Sequence, residues 1–442
     1  MRLKFLLILV CSVTLFAKLP TEIENDIEQN KAHLLKIFKQ LHQNPELGFM
    51  EKETSALVAK ELKTLGYKTI TGIAKTGVVG ILKNGKGPIL MFRADMDANA
   101  VKEITNLPYA SKKVVKRDDG TQTPVMHACG HDAHTTWLLG MAKAMKAAKD
   151  KWHGTLVLVF QPAEELIEGA RAMVDDGMYK KGVPKPDILI SMHTAPIPTG
   201  MAVLAKGNRM AGTDQLDVTF YGIGGHGSTP HLTKDPVLMA ASAIVQYQFI
   251  ISRGVDAQHS AVLTVGSVQA GSDNNVIPSS AILKINLRWY DEKDRDMMIQ
   301  AIKRINESIA FAYGLPKDKY PTMKQKGWAY PVKNDPELIK KVRPALVEIY
   351  GDKNIFAEAP KSMGSEDFHH LVFNATNAKY IHIFIGTADP KLFAKAQKEG
   401  KTIPFSNHNG NYIVDPNAIP TAVKAGCNIL LHLFNNQIGK KQ

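Results

Sequence analysis

Three short apolar runs, each closed by an acidic residue or a histidine, constrain this 442-residue chain more than any other feature. Ile89-Leu90-Met91-Phe92 leads into Arg93-Ala94-Asp95-Met96-Asp97. Leu156 to Phe160 leads into Gln161-Pro162-Ala163-Glu164-Glu165, and Ile188-Leu189-Ile190 leads into Ser191-Met192-His193. A strand that is apolar at consecutive positions is buried on both faces, so its sheet needs a layer on either side. Between the first two runs, Thr135 to Ala148 has a helical pattern. Such strands alternating with helices predict an α/β fold with a mixed, mostly parallel sheet flanked by helices. Open α/β sheets place their sites beyond the carboxyl ends of their strands. Three strand ends bearing Asp, Glu and His therefore predict one shared site.

Other segments complete this frame. Ile23, Ile27, Leu34, Ile37, Phe38 and Leu41 recur at helical spacing, and Asn44-Pro45 ends that helix. Thr54 to Leu65 reads as a second helix, closed by Gly66. The texture changes after Gly207. Leu216, Val218 and Phe220 alternate with Asp217, Thr219 and Tyr221, which predicts a half-exposed strand. Helices over 236–251 and 297–312 and strands over 262–268 and 282–289 follow. The order strand, helix, strand, strand, helix predicts a small two-layer α+β domain inserted into the larger one. An apolar strand at 381–385 and a closing helix at 422–434 resume the large domain. The expected division is 18–206 and 319–442 for the large domain and 207–318 for the insert.

Residues 1–17 have the anatomy of an export signal. Arg2 and Lys4 precede a mostly apolar stretch, Phe5 to Phe16, that is short of the ~20 residues a membrane span needs. Cleavage after Ala17 predicts a periplasmic or secreted protein with no remaining span. The alternatives are an uncleaved anchor and lipidation at Cys11, which lacks small residues before it. Cys129 and Cys427 remain after cleavage and do not make a disulfide framework. Cys427 lies in an apolar helix pattern and reads as a buried structural thiol. The formal charge of +13, or +11 once Arg2 and Lys4 depart, favours acidic solutes. The compact basic cluster from Lys112 to Arg117 lacks interleaved aromatics, so no nucleic-acid partner is expected.

The chemistry concentrates in His127-Ala128-Cys129-Gly130-His131-Asp132-Ala133-His134. Thiol and imidazole donors at this density suit a transition metal such as zinc. Cys129 and His131 stand just before a predicted helix, whose N-terminal dipole favours the thiolate. Adjacent Glu164 and Glu165 suggest a division of labour. One carboxylate can bind metal while its neighbour takes a proton from the activated water, whose pKa a metal lowers from about 15.7 to about 7. His193 joins them from its strand end. A metal-free catalytic thiol at Cys129 is an alternative that the surrounding acidic groups disfavour. His408, in Phe405-Ser406-Asn407-His408-Asn409-Gly410, carries less local signal. Gly222-Ile223-Gly224-Gly225-His226-Gly227 fits a dinucleotide fingerprint, yet Pro230 and Pro236 delay any helix. A glycine-rich turn presenting His226 to a ligand is the better reading. Arg288 is either a two-pronged carboxylate grip or an exposed strand-end cation. Together these groups read as a metal-dependent hydrolase.

The chain resembles the M20 family of metallopeptidases, most closely its aminoacylase/carboxypeptidase branch of hippurate hydrolases, N-acyl-amino-acid amidohydrolases and auxin-conjugate hydrolases. The segments that carry the resemblance are Leu41 to Gly48, Arg93 to Asp97, Met126 to His134 and Phe160 to Glu165. Gly224 to His231, Asn275 to Pro278 and Gly364 to Phe368 extend it over nearly the whole mature chain. The resemblance implies two divalent cations per subunit, zinc first, with manganese, cobalt or nickel as alternatives. It implies Cys129, His131, Glu165, His193 and His408 as ligands and Glu164 as general base and acid, with Asp97 in the catalytic group. His226, in a lid that often dimerises, would help bind substrate or its oxyanion, commonly in the partner subunit's site. Asn275 and Arg288 would contact substrate. The implied reaction cleaves the amide between an acyl group and an amino acid. A dipeptidase or carboxypeptidase of the same family, or an exported binding protein without catalysis, is the alternative. Two positions depart from the family pattern. Asp95-Met96-Asp97 replaces the common His-x-Asp, and His408-Asn409-Gly410 replaces His-x-Pro, which leaves that loop less constrained.

Overall fold

A computed structural model describes residues 19–117 and 120–437. The expected export signal at 1–17 lies outside the described residues. Strands β1 (Lys68–Ile73) and β2 (Gly77–Asn84) form a hairpin, and β3 (Ile89–Asp95), β4 (Gly154–Gln161) and β5 (Ile188–Pro198) are the three runs read from the sequence. The short β6 (Ala202–Val203) precedes a smaller layer made of β7 (Gly212–Tyr221), β8 (Val262–Ala270), β9 (Ser280–Trp289) and β10 (Thr322–Ala329). Strands β11 (Ile355–Phe356) and β12 (Lys379–Ala388) return to the large layer. Its sheet runs β1-β2-β4-β3-β5-β12-β6-β11. The four central strands, β4, β3, β5 and β12, are parallel, and the flanking β2 and β6 run antiparallel to them.

Both faces of the parallel centre are covered, which is why its strands are continuously apolar. Leu90, Phe92, Leu156, Leu158 and Ile190 point into the main core. Met91, Val157, Val159 and Leu189 point the other way, against Met173, Phe368 and Leu371. The main core is closed by helices α1 (Thr21–Gln43), α2 (Lys52–Thr64) and α3 (His131–Ala147). Truncating a side chain as enclosed as Phe92 or Trp137 to alanine costs about 3–5 kcal/mol. Helix α3 starts at His131, ahead of the apolar pattern that begins at Thr135. Gly130 makes this possible. Its φ of +82° is left-handed, and a Cβ there would meet Thr194 Oγ1 at 2.7 Å and Tyr412 Oη at 3.1 Å.

The inserted layer has the antiparallel order β8-β9-β7-β10. Leu216, Val218 and Phe220 of β7 pack under helices α4 (Pro236–Phe249) and α5 (Glu292–Ala312). Asp235 and Asp291 cap those helices by accepting N–H groups of Val237 and Lys293, each at 2.8 Å. Strand β10 pairs with β7 and lies past the boundary expected at 318. It is an edge strand rich in lysine, so it lacks the alternation that marks β7. The chain crosses between layers twice, and the two crossings pair side by side as Gly207–Met210 against Val332–Asn334. Helices α6 (Pro336–Tyr350) and α7 (Ala418–Gln437) complete the large domain. Among the described residues no helix is long and apolar enough to cross a membrane.

Candidate metal centre

The carboxyl ends of the parallel strands converge on one cavity of about 490 Å³, lined by Cys129, Glu164, Glu165, His193, Arg288 and His408 among others. Three elements supply most of these groups. Cys129 precedes the buried N-terminus of α3, Glu164 and Glu165 occupy the loop after β4, and His193 lies in β5. The donor atoms of Cys129, Glu165 and His408 all lie within 4.8 Å of one another, as do those of Asp95, His131, His134 and His193. A third set of His131, Glu164 and Glu165 joins the two. Cys129 Sγ is 3.5 Å from His193 Nε2, His131 Nε2 is 3.6 Å from Glu165 Oε1, and His408 Nε2 is 3.2 Å from Glu165 Oε2.

Surrounding bonds aim these side chains. His193 Nδ1 donates to the Thr194 carbonyl at 2.7 Å, which turns Nε2 toward Cys129. Asp97 accepts the backbone N–H groups of Glu164 at 3.0 Å and Glu165 at 2.9 Å, and lies 3.5 Å from His131 Nδ1. It therefore holds the two-glutamate turn. Ala163 and Ile167 flank that turn at φ +51° and +55°, a left-handed conformation that residues with a side chain adopt at a cost. Glu51 supports the turn by accepting the Ala163 N–H at 2.8 Å. His134 donates from Nδ1 to Asp95 and accepts the Thr194 N–H on Nε2 at 2.9 Å. Both its nitrogens are engaged, so it positions Asp95 and does not serve as a ligand. Fully buried Arg93 completes the layer beneath. It donates to Asp95 at 2.8 Å, to Gln161 at 2.8 Å and to Glu366 at 2.8 and 3.0 Å. Removing one side of such a buried ionic cluster leaves uncompensated charge, at a cost of about 3–5 kcal/mol.

The residues fit a divalent metal pair. Both ring nitrogens of His131 and Oε1 of Glu165 are buried without a hydrogen-bond partner. Each such orphan costs about 1–3 kcal/mol unless something satisfies it, and a cation would. Burial raises the Cys129 thiol, but the positive charge of protonated His193, together with hydrogen bonds from His131 and His193, more than offsets this and holds it well below its ordinary value, as the thiolate a metal requires. Burial likewise raises Glu165, yet His408 and His131 bring it down to about 2. Glu164 goes the opposite way. Burial, with the charges of Glu366 and Glu165, lifts it well above the carboxylate range. Two adjacent carboxyl groups with opposite proton affinities can divide binding from proton transfer.

Cys129, His131, Glu164, Glu165, His193, His408, Asp97 and Arg288 thus come together from positions far apart in the chain. Arg288 is not an exposed cation: it lines the cavity, donating to Ser365 Oγ and, at 2.6 Å, to Asn286 Oδ1. His408 lies at φ +62° in a loop without the family's proline, and its N–H to the Ala128 carbonyl at 2.8 Å fixes it instead. His226 and Asn275 do not line the cavity. They are exposed on the insert, where Gly225–His226 pairs with Val276–Ile277, and the Ser228 N–H donates to His226 Nδ1 at 3.1 Å. Sequence reasoning passed over Arg93, His134, Glu366 and Asn407, whose Nδ2 donates to Cys129 Sγ at 3.3 Å. Arg93 had a readable signal, since a cation in a strand buried on both faces demands an anionic partner.

A family model described as "Peptidase family M20/M25/M40" matches residues 91–399. The hippurate hydrolase of Campylobacter jejuni is 41% identical over 372 residues, covering 82% of this chain and 93% of the relative. The N-acetyl-L-cysteine deacetylase of Bacillus subtilis is 37% identical over 77% of each chain. A crystal structure of a dinuclear metal-binding M20 peptidase from Bacillus subtilis superposes with a TM-score of 0.68 at 26% identity, covering 92% of this chain and 99% of that one.

Proposed function

The chain belongs to peptidase family M20/M25/M40, and on that premise we propose that it is a metal-dependent amidohydrolase of N-acyl amino acids. The observation that carries this reading is the meeting of five metal-suited donors, four of them lining one cavity and His131 buried against Glu165, with a proton-carrying Glu164 and a carboxylate-suited Arg288 on that cavity. Cys129, His131, Glu165, His193 and His408 would hold two divalent cations. The thiolate favours zinc, with manganese, cobalt and nickel as alternatives. Bound there, such cations supply Lewis acidity and bring the pKa of water down to about 7.

The chain's own groups do the rest. Glu164 takes the proton of the attacking water and returns it to the leaving amine. Arg288 grips the carboxylate of the amino-acid half through two parallel N–H donors. His226 does not line the cavity of its own chain, so its oxyanion role needs a second copy, and we infer a homodimer through the insert. The unpartnered apolar residues there support this reading. Leu238, Val245 and Phe249 on α4 and Val268 on edge strand β8 are each more than half exposed. The signal-like residues 1–17 make it an exported protein in this reading.

The test is a hydrolysis screen of hippurate, N-acetyl amino acids and dipeptides on protein of defined metal content, paired with Glu164→Gln. Turnover of the acyl amino acids with kcat lowered about 100- to 10,000-fold in the variant, metal retained, is the expected result. Turnover of dipeptides alone would move the reading to a dipeptidase. Binding without any hydrolysis would move it to a binding protein, and near-normal Glu164→Gln activity would remove Glu164 from the chemistry.

A further inference from the structure

A second cavity, of about 560 Å³, also has Glu165 in its lining. Glu165 lines both cavities, so the two meet at this residue. The second cavity has three kinds of surface. Met50 and Leu166 supply apolar area, and are 47% and 42% exposed. Lys116 and Arg117 supply positive charge. Asn99 supplies a buried amide whose Oδ1 has no hydrogen-bond partner.

The two cations are held in place relative to the metal ligands. They stand on a hairpin in which Val114–Lys116 pairs with Gln122–Pro124. At the base of that hairpin, Asn99 and Met126 exchange backbone hydrogen bonds of 2.9 and 3.0 Å. Asn99 follows Asp97 closely in sequence, and Met126 shortly precedes Cys129. The second strand of the hairpin therefore runs directly into the segment that leads to Cys129, and the first is tied to it where the Lys113 carbonyl accepts the Val125 N–H at 3.1 Å. Asp118 and Asp119 follow in sequence and lie outside the described residues.

Arg288 occupies the first cavity, where it takes the amino-acid carboxylate. We propose that the second cavity receives the acyl half of the substrate, and that Lys116 and Arg117 select acyl groups that end in a carboxylate on a short apolar stem. The preferred substrates are then half-amides of dicarboxylic acids with an amino acid. The stem lies on Met50 and Leu166, and the terminal carboxylate meets the basic rim. This rests on the amidohydrolase reading above. The rim is exposed, so its effect is modest and weakens with salt, on the order of tenfold in KM for the two cations together.

The experiment compares glutaryl, valeryl and benzoyl conjugates of one amino acid on the metal-loaded full chain. Glutaryl and valeryl have the same carbon count and differ in the terminal charge. The wild-type protein is expected to favour glutaryl over valeryl by about tenfold in kcat/KM at low ionic strength, and to lose most of that preference in about 0.5 M salt. Lys116→Gln combined with Arg117→Gln should erase the preference through KM while leaving benzoyl and valeryl turnover within twofold, which also shows that the variant is folded. Hydrolysis of the benzoyl conjugate without any glutaryl preference, or an equal loss on all three conjugates in the variant, overturns the subsite alone. Failure to hydrolyse any of the three overturns the amidohydrolase reading and the subsite with it.

Discussion

Asp97 offers the most direct test of how the two-glutamate turn is held. Its two carboxylate oxygens accept one backbone N–H each, from Glu164 at 3.0 Å and Glu165 at 2.9 Å. Asp97→Asn keeps the shape but only one acceptor oxygen. One bond survives, and the other N–H then faces an NH₂ group, donor against donor. A hydrogen bond to a charged acceptor is worth about 1.5–3 kcal/mol. Transferred in full to the placement of Glu164, at about 1.4 kcal/mol per tenfold, that loss slows turnover about 10- to 150-fold. Asp97→Ala strands both N–H groups and should lose more, with a lower thermal midpoint. The assay is steady-state hydrolysis of hippurate alongside metal per chain by mass spectrometry and near-ultraviolet circular dichroism. An Asp97→Asn protein that is fully metallated and within threefold of wild type would refute the reasoning and leave Glu51, through the Ala163 N–H, as the main support of the turn.

Two further outcomes are expected. Cys129→Ser replaces a thiolate donor with a hydroxyl and should reduce metal occupancy at limiting zinc by about tenfold or more; unchanged occupancy in a titration would remove Cys129 from the ligand set. His42 should make stability fall on the alkaline side. Burial depresses its pKa, but Asp132 at 2.6 Å and Glu103 at 3.2 Å raise it to about 9 from the ordinary 6.5. A raised folded-state value means that the cation's contribution, on the order of 3 kcal/mol, is whole below 6.5 and is lost as pH climbs through 9. Thermal midpoints measured from about pH 6 to about pH 10 should therefore drop more in the wild type than in His42→Ala, and parallel curves would contradict it.

The parts of this molecule that could be read from sequence are those whose environment acts on many consecutive residues. Burial on both faces makes β3, β4 and β5 continuously apolar, and burial on one face makes Leu216, Val218 and Phe220 alternate. Strand β10 escaped because few of its residues are buried, so neither pattern forms. The start of α3 escaped for a different reason. His131, Asp132 and His134 are buried in its first turn among polar partners, where an apolar stripe cannot mark a helix. In the site, residue type and strand-end position were enough to point to Cys129, His131, Glu165 and His193. Bonding was not legible. His131 and His134 share one face of one helix, and what distinguishes them is that the N–H of Thr194, far away in sequence, occupies His134 Nε2 while both ring nitrogens of His131 have no hydrogen-bond partner. The local motifs around His226 and Asn275 did not by themselves show which cavity they serve, because a motif records local geometry alone; only the family resemblance pointed His226 to a partner's site.

The paired crossings at Gly207–Met210 and Val332–Asn334 give the insert a single doorway. Entry and exit are neighbours, so a short glycine turn from Met210 to Val332 could bridge the gap left by excision. The eight-stranded sheet would keep its register, because β5 and β12 pair directly without help from the insert. The bond-breaking groups stay on one side of that doorway, while Arg288 leaves with the other. Reactivity and selectivity are thus carried by separately exchangeable pieces of chain, and a grafted insert could change which molecules are admitted without rebuilding the centre that cleaves them.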